Sequence, residues 1–205
     1  MDSKQKQESM EKPKLLLQVC CGPCGAAAFL ALCEGYDVTA FFWGNNFDSE
    51  EEYERRLQAL KVVNKAMNAD RDIVIIPYNN LAFSPQHLAL EKEGGERCKL
   101  CYETRLRAAA EYAKRHGFDA FTTSLTVSPH KNSQVINSIG RRIGEEIGIR
   151  FVEVDLKKNN GFQKSVEVSK RLGIYRQKYC GCNDSRISNY SAQLTTLTKF
   201  PLQLV

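Results

Sequence analysis

Short runs rich in β-branched and aromatic residues alternate along this chain with longer stretches whose apolar positions recur every three or four residues. That alternation predicts an α/β fold with a mainly parallel sheet and helices on both faces. Strands are expected at 15–19, 38–43, 73–77, 120–123 and 151–154. Between 49 and 67, Tyr53, Leu57, Leu60 and Val63 stand at helical spacing among charges, which predicts an amphipathic helix laid on the sheet. Helices are likewise expected over 102–116 and 135–147, closed by Gly117 and Gly148, and the run from Ala26 to Leu30 is helix-forming. No repeat interrupts the pattern. Residues 1–205 read as a single α/β domain, with 1–14 and 190–205 loosely ordered or peripheral.

Composition narrows the class. The chain has 205 residues, 42% of them hydrophobic, enough to build a core without covalent staples, so its eight cysteines are not needed as cross-links. No apolar run approaches a membrane span and the polar start lacks a signal-peptide core, which predicts a cytoplasmic protein whose thiols stay reduced unless they are ligands or catalysts. The net charge of +5 permits a nucleic-acid partner without requiring one.

Seven of the eight cysteines fall into three tight groups. Cys20-Cys21-Gly22-Pro23-Cys24 follows the first strand, where a helix N-terminus favours thiolates for ligation or nucleophilic attack. Cys98-Lys99-Leu100-Cys101 is placed at the entrance to the helix expected from Tyr102. A C-x-x-C suits zinc, an iron–sulfur cluster or thioredoxin-like chemistry; a thioredoxin needs no further cysteines, and a four-thiolate zinc site leaves several unexplained. Cys180-Gly181-Cys182 can close a strained, easily reduced disulfide or offer two ligands from one side of a loop. Arg176 and Lys178 beside it favour thiolates and can hold phosphate. The remaining Cys33, among Leu30, Ala31 and Leu32, reads as core.

These blocks, with Glu93-Gly94-Gly95-Glu96-Arg97 before the second pair, Arg105-Leu106 after it, Phe121-Thr122-Thr123-Ser124-Leu125, Ser128-Pro129-His130-Lys131-Asn132 and Ile174-Tyr175-Arg176-Gln177-Lys178-Tyr179, resemble the cobalamin-independent epoxyqueuosine reductases of the QueH type. The likeness runs from Leu15 to Cys182. It implies a Rossmann-like fold similar to the adenine nucleotide α-hydrolases, and reduction of the epoxide of epoxyqueuosine at the tRNA wobble position to give queuosine. It also implies a [4Fe–4S] cluster held by Cys20, Cys21, Cys98 and Cys101, a redox-active pair at Cys180 and Cys182, and an adjacent mononuclear iron that Cys24 helps to hold. The sequence does not itself settle which four of the seven bind iron, nor which electron donor is the partner. His130, Lys131, Tyr175 and Arg176 are the candidate substrate contacts, by proton donation, phosphate binding or stacking on an unstacked base.

The chain departs from the family at two places: Gln18 stands where a His more often precedes the double cysteine, and Phe42-Trp43-Gly44-Asn45-Asn46-Phe47 replaces the usual Tyr-Asn-Pro-Asn-Ile segment. An ATP-dependent tRNA-modifying enzyme of the same fold is disfavoured, because its Gly-rich pyrophosphate loop is replaced here by two cysteines and a Pro. A zinc- or iron–sulfur-stabilised RNA-binding or tRNA-modifying protein is the alternative.

Overall fold

The computed structural model describes residues 11–69, 71–79 and 94–182. Glu93, most of the first dozen residues and everything after Tyr190 lie outside the described residues. Five parallel strands, β1 (Lys14–Val19), β2 (Asp37–Trp43), β3 (Ile73–Ile76), β4 (Ala120–Thr123) and β5 (Arg150–Phe151), form one sheet in the order β3-β2-β1-β4-β5. Helices α1 (Gly22–Leu32), α2 (Glu50–Met67), α3 (Glu96–Arg115), α4 (Ser133–Ile147) and α5 (Gly161–Arg171) cover its two faces.

Alternation along β1 decides which helix goes where. Leu15, Leu17 and Val19 join Val38, Ala40 and Phe42 under α1, α2 and α5, while Leu16, Phe41 and Phe121 pack against α3 and α4. Each of these leucines is fully buried, worth about 1.5–3 kcal/mol apiece, so β1 is held at the centre by both layers at once. The chain leaves β1 in one direction for β2 and β3, then crosses back to β4. The carboxyl ends of β1 and β4 therefore flank the reversal of strand order, where a crevice opens in such sheets.

The expected elements are present, with three differences. Helix α3 begins at Glu96 rather than Tyr102, because Gly94, with φ at +81°, turns the chain and Gly95 caps a first turn built from the helix formers Glu96, Lys99 and Leu100. Strand β5 stops at Phe151: the carbonyl of Val152 accepts from the Thr122 hydroxyl (2.7 Å) and that of Val154 from the Asn137 amide (3.2 Å) instead of extending the ladder. Helix α5 is not foreshadowed by an apolar stripe. Its inner face is Ser165, Val168 and Ser169, with both hydroxyls satisfied by donation to carbonyls of the preceding turn, and these small residues let α5 lie against α1.

The close approach of α1 and α2 depends on Gly22, where an added Cβ would stand 2.6 Å from the backbone oxygen of Ala59. Gly22→Ala is expected to cost on the order of 1–3 kcal/mol by forcing the two helices apart, read as a lowered midpoint in urea unfolding with an unchanged slope.

Candidate functional site

The first cysteine group is shaped by a strand ending and a helix beginning within two residues. Cys21 is extended and caps α1, its sulfur accepting the backbone N–H of Cys24 at 3.4 Å, while Pro23 occupies a first-turn position where its missing N–H costs nothing. Cys20 is 7% exposed and Cys21 is wholly buried. Among the described residues, the sulfurs of Cys20, Cys21 and Cys24 lie within 4.8 Å of one another, close enough for all three to ligate one metal.

The second group does not precede α3 but forms its first two turns, so Cys98 and Cys101, three apart, face the same way. Gly94 N–H donates to Cys98 Sγ (3.1 Å), and Arg105, one turn beyond, donates from Nη2 to Cys101 Sγ (2.8 Å). That guanidinium is almost fully buried.

The third group lies on the segment after α5, fastened to α2. Arg56 donates to the carbonyls of Cys180 (2.9 Å) and Tyr179 (3.1 Å) and pairs with Glu52 (2.6 Å), whose other oxygen accepts from the Tyr175 hydroxyl (2.8 Å). The Tyr179 hydroxyl donates to Asp48 (2.9 Å), and the Asp48 N–H donates to the Gly181 carbonyl (2.8 Å). Gln177 donates to Cys21 Sγ (3.0 Å), and the Lys131 ammonium donates to Cys180 Sγ (3.3 Å). All three groups thus meet at the strand-end crevice. No disulfide joins the cysteines of the described residues.

Their acidities are divided. Hydrogen bonds from Cys21 and Cys24 hold the Cys20 thiol well below its ordinary range, which makes it the thiolate of the trio. Its proximity pushes Cys21 up to about 12 and raises Cys24 as well. Burial raises Cys101 despite Arg105 beside it. Burial also opposes ionisation of Cys180, yet Lys131 and Arg105 overrule it and bring that thiol below its usual value.

Of the expected substrate contacts, His130 is exposed on a turn, its N–H donating to the Ser128 hydroxyl. Lys131 is directed at Cys180 and lines, with His130, Lys157 and Lys158, an open cleft of about 680 Å³. The Arg176 guanidinium lies 5.0 Å over the Phe162 ring, and Trp43 stacks on Phe41 at 6.2 Å. Sequence reasoning missed Glu52, Arg56 and Gln177, and did not single out Arg105 as a partner of sulfur. A signal for Arg56 existed: it falls on the buried stripe of α2 with Tyr53, Leu57 and Leu60, where an arginine needs a partner.

An all-thiol donor set suits zinc, iron or an iron–sulfur cluster. Gln18 Nε2 and Arg105 Nη1 are buried donors without a protein acceptor, and Ser124 Oγ at the end of β4 is also unpaired. Leaving such groups unmet costs about 1–3 kcal/mol each, so sulfide or another acceptor bound among the cysteines fits what the protein leaves open.

Residues 15–188 match the family model described as epoxyqueuosine reductase QueH. The chain is similar to the protein of that name from Streptococcus pyogenes serotype M1, with 36% identity over 178 residues, 83% of this chain and 69% of the relative. It is 35% identical to that of Staphylococcus aureus strain Mu50 over 179 residues (83% and 75%) and 32% identical to that of Thermotoga maritima over 173 (82% and 88%). A match over this span, centred on a crevice into which three cysteine motifs converge, places the chain in the epoxyqueuosine reductase QueH family.

Proposed function

We propose that this protein reduces the epoxide of epoxyqueuosine in tRNA to give queuosine, the final step of queuosine biosynthesis, as an iron–sulfur oxidoreductase. The observation that carries the reading is the meeting of three cysteine groups at one strand-end crevice in a member of this family. Cys20, Cys21, Cys98 and Cys101 are assigned to a [4Fe–4S] cluster and Cys24 to an adjacent mononuclear iron. When bound, these groups supply one-electron transfer and Lewis acidity.

The protein's own residues supply the rest. Converting an epoxide to an alkene takes two electrons and two protons and releases the oxygen as water. The Cys180–Cys182 dithiol holds that complement, becoming a disulfide as it gives both up, and an external donor must then restore it. Lys131 holds Cys180 as the thiolate-forming member and carries an exchangeable proton beside it. His130 and Lys131, at the cleft they share with Lys157 and Lys158, and Arg176 are assigned to tRNA phosphates. Tyr175, its hydroxyl fixed by Glu52, offers its ring to an unstacked base. A single α/β domain over residues 1–205, working in the reduced-thiol cytoplasm, completes the reading. Among the described residues no helix is long and apolar enough to cross a membrane.

The deciding experiment is turnover of epoxyqueuosine-containing tRNA by anaerobically prepared, reduced protein. A brown, iron-containing protein that yields queuosine-tRNA is expected, and a colourless zinc protein without turnover overturns the proposal. Cys98→Ser and Cys101→Ser should each lose chromophore and turnover together, whereas Cys180→Ser and Cys182→Ser should keep the colour and lose turnover; full iron content in the first two variants refutes the ligand set.

Alkylation of Cys180 in the metal-free protein should accelerate with pH through a midpoint below the ordinary thiol range. Removing the ammonium in Lys131→Met takes away the charge that favours the thiolate and should move that midpoint upward, followed by mass spectrometry of the Cys180 peptide. For RNA, log affinity should fall linearly with log salt, and Lys158→Ala should weaken binding while reducing the slope by about one; a slope unaffected by the substitution removes the cleft from the binding surface.

A further inference from the structure

Gly181 is held on both sides. The peptide unit before it carries the Cys180 carbonyl, gripped by Arg56 Nη1 at 2.9 Å, and the unit after it carries the Gly181 carbonyl, which accepts the Asp48 N–H at 2.8 Å. Arg56 Nη2 takes the Tyr179 carbonyl as well, at 3.1 Å. The guanidinium is 1% exposed, aimed by Glu52 through its Nε, and lies over the rings of Phe47 and Tyr179 at 5.1 and 5.4 Å. Gly181 itself sits at φ +128°, a conformation that favours glycine, and an added Cβ would stand at a tight 3.0 Å from the Asn46 backbone oxygen. A fully buried arginine spending both terminal nitrogens on the backbone carbonyls on either side of Cys180 is a costly way to hold an ordinary loop. It acts on the two peptide units that flank Cys180, while the Asp48 N–H holds the one that leads into Cys182.

We propose that Arg56 is a positioning residue that sets the thiol–disulfide equilibrium of Cys180 and Cys182 by fixing their backbone in the dithiol conformation. The inference rests on the reading of these two cysteines as a redox pair. Bridging two cysteines separated by one residue closes a small ring, and forming it turns the peptide units between them, which are the ones Arg56 and Asp48 hold. The grip therefore favours the dithiol over the disulfide. The oxidation is balanced: two thiols lose two protons and two electrons to an oxidant such as glutathione disulfide, and one S–S bond forms.

The test uses the full-length, anaerobically prepared protein equilibrated in glutathione redox buffers, quenched with an alkylating agent and digested with trypsin. The peptide from Tyr179 to Arg186 contains Cys180 and Cys182 and no other cysteine, so its bridged and doubly alkylated forms report the equilibrium directly. Arg56→Lys keeps a charge and loses the forked grip. It should shift the equilibrium about tenfold toward the disulfide, about 30 mV for this two-electron couple. An unchanged constant, or a shift toward the dithiol, overturns the proposal and leaves Arg56 a structural residue. If Arg56→Lys does not fold, Glu52→Gln, which keeps the shape and removes the carboxylate that aims Arg56, should shift the equilibrium the same way by a smaller factor, and an unchanged constant there overturns it equally. Absence of any bridged peptide in the wild type removes the relay reading itself, and this proposal with it.

Discussion

Seven thiols gathered at one end of a sheet need cations among them if any is to ionise there, as Cys20 and Cys180 are favoured to do, and the rest of the site follows from that requirement. Three are supplied from three elements: Arg56 from α2, Arg105 from α3 and Lys131 from the turn before α4. Each is buried or half-buried and has a sulfur or the backbone of a cysteine segment as a partner; burial works against each charge and is offset chiefly by Glu52 at Arg56, by Cys101 at Arg105 and by Cys180 at Lys131. The dependence is mutual. Removing one member of such a buried set costs about 3–5 kcal/mol because it strands the other, so cations and thiols constrain each other in place.

The sheet supplies the common origin. Because β1 is central and both its faces are covered, its carboxyl end has only one direction in which to present Cys20 and Cys21, and α1 begins there with N–H groups to spare. Helix α3 covers one face and brings Cys98 and Cys101 over the same end; α5 on the other face delivers the chain to Tyr175 and onward to Cys182. Arg56 and Glu52 on α2 then fasten that returning segment. Elements far apart in sequence are therefore set against one another by polar bonds that the hydrophobic core does not dictate but does shield, and bonds shielded from water are the ones worth most.

Much of this was legible in the sequence and the remainder has physical reasons for being hidden. Strands with continuous apolar runs, such as β1 and β2, and the amphipathic α2 and α4 stand where periodicity puts them, since burial on known faces is what the pattern encodes. Helix α5 was hidden because two serines share its buried face with Val168, and the early start of α3 because a glycine cap without a side-chain hydrogen bond leaves no signature. The cysteine groups announced a site, yet the sulfur trio of Cys20, Cys21 and Cys24, the grip of Arg105 on Cys101 and the contact of Lys131 with Cys180 are tertiary facts. Spacing along the chain carries no record of which charge a fold turns toward which sulfur.

Gln18 shows how that distinction bears on chemistry. Its position at the end of β1 is set by the strand pattern, and its side-chain oxygen accepts from the Thr123 hydroxyl on the neighbouring β4 at 2.7 Å, so the amide is oriented with its N–H groups free. An imidazole here would bring a group that titrates near neutrality; an amide brings a fixed donor and no proton to exchange. In this chain, then, the position offers a fixed donor and no titrating ring, and Gln18 Nε2 is left facing the strand end without a protein acceptor.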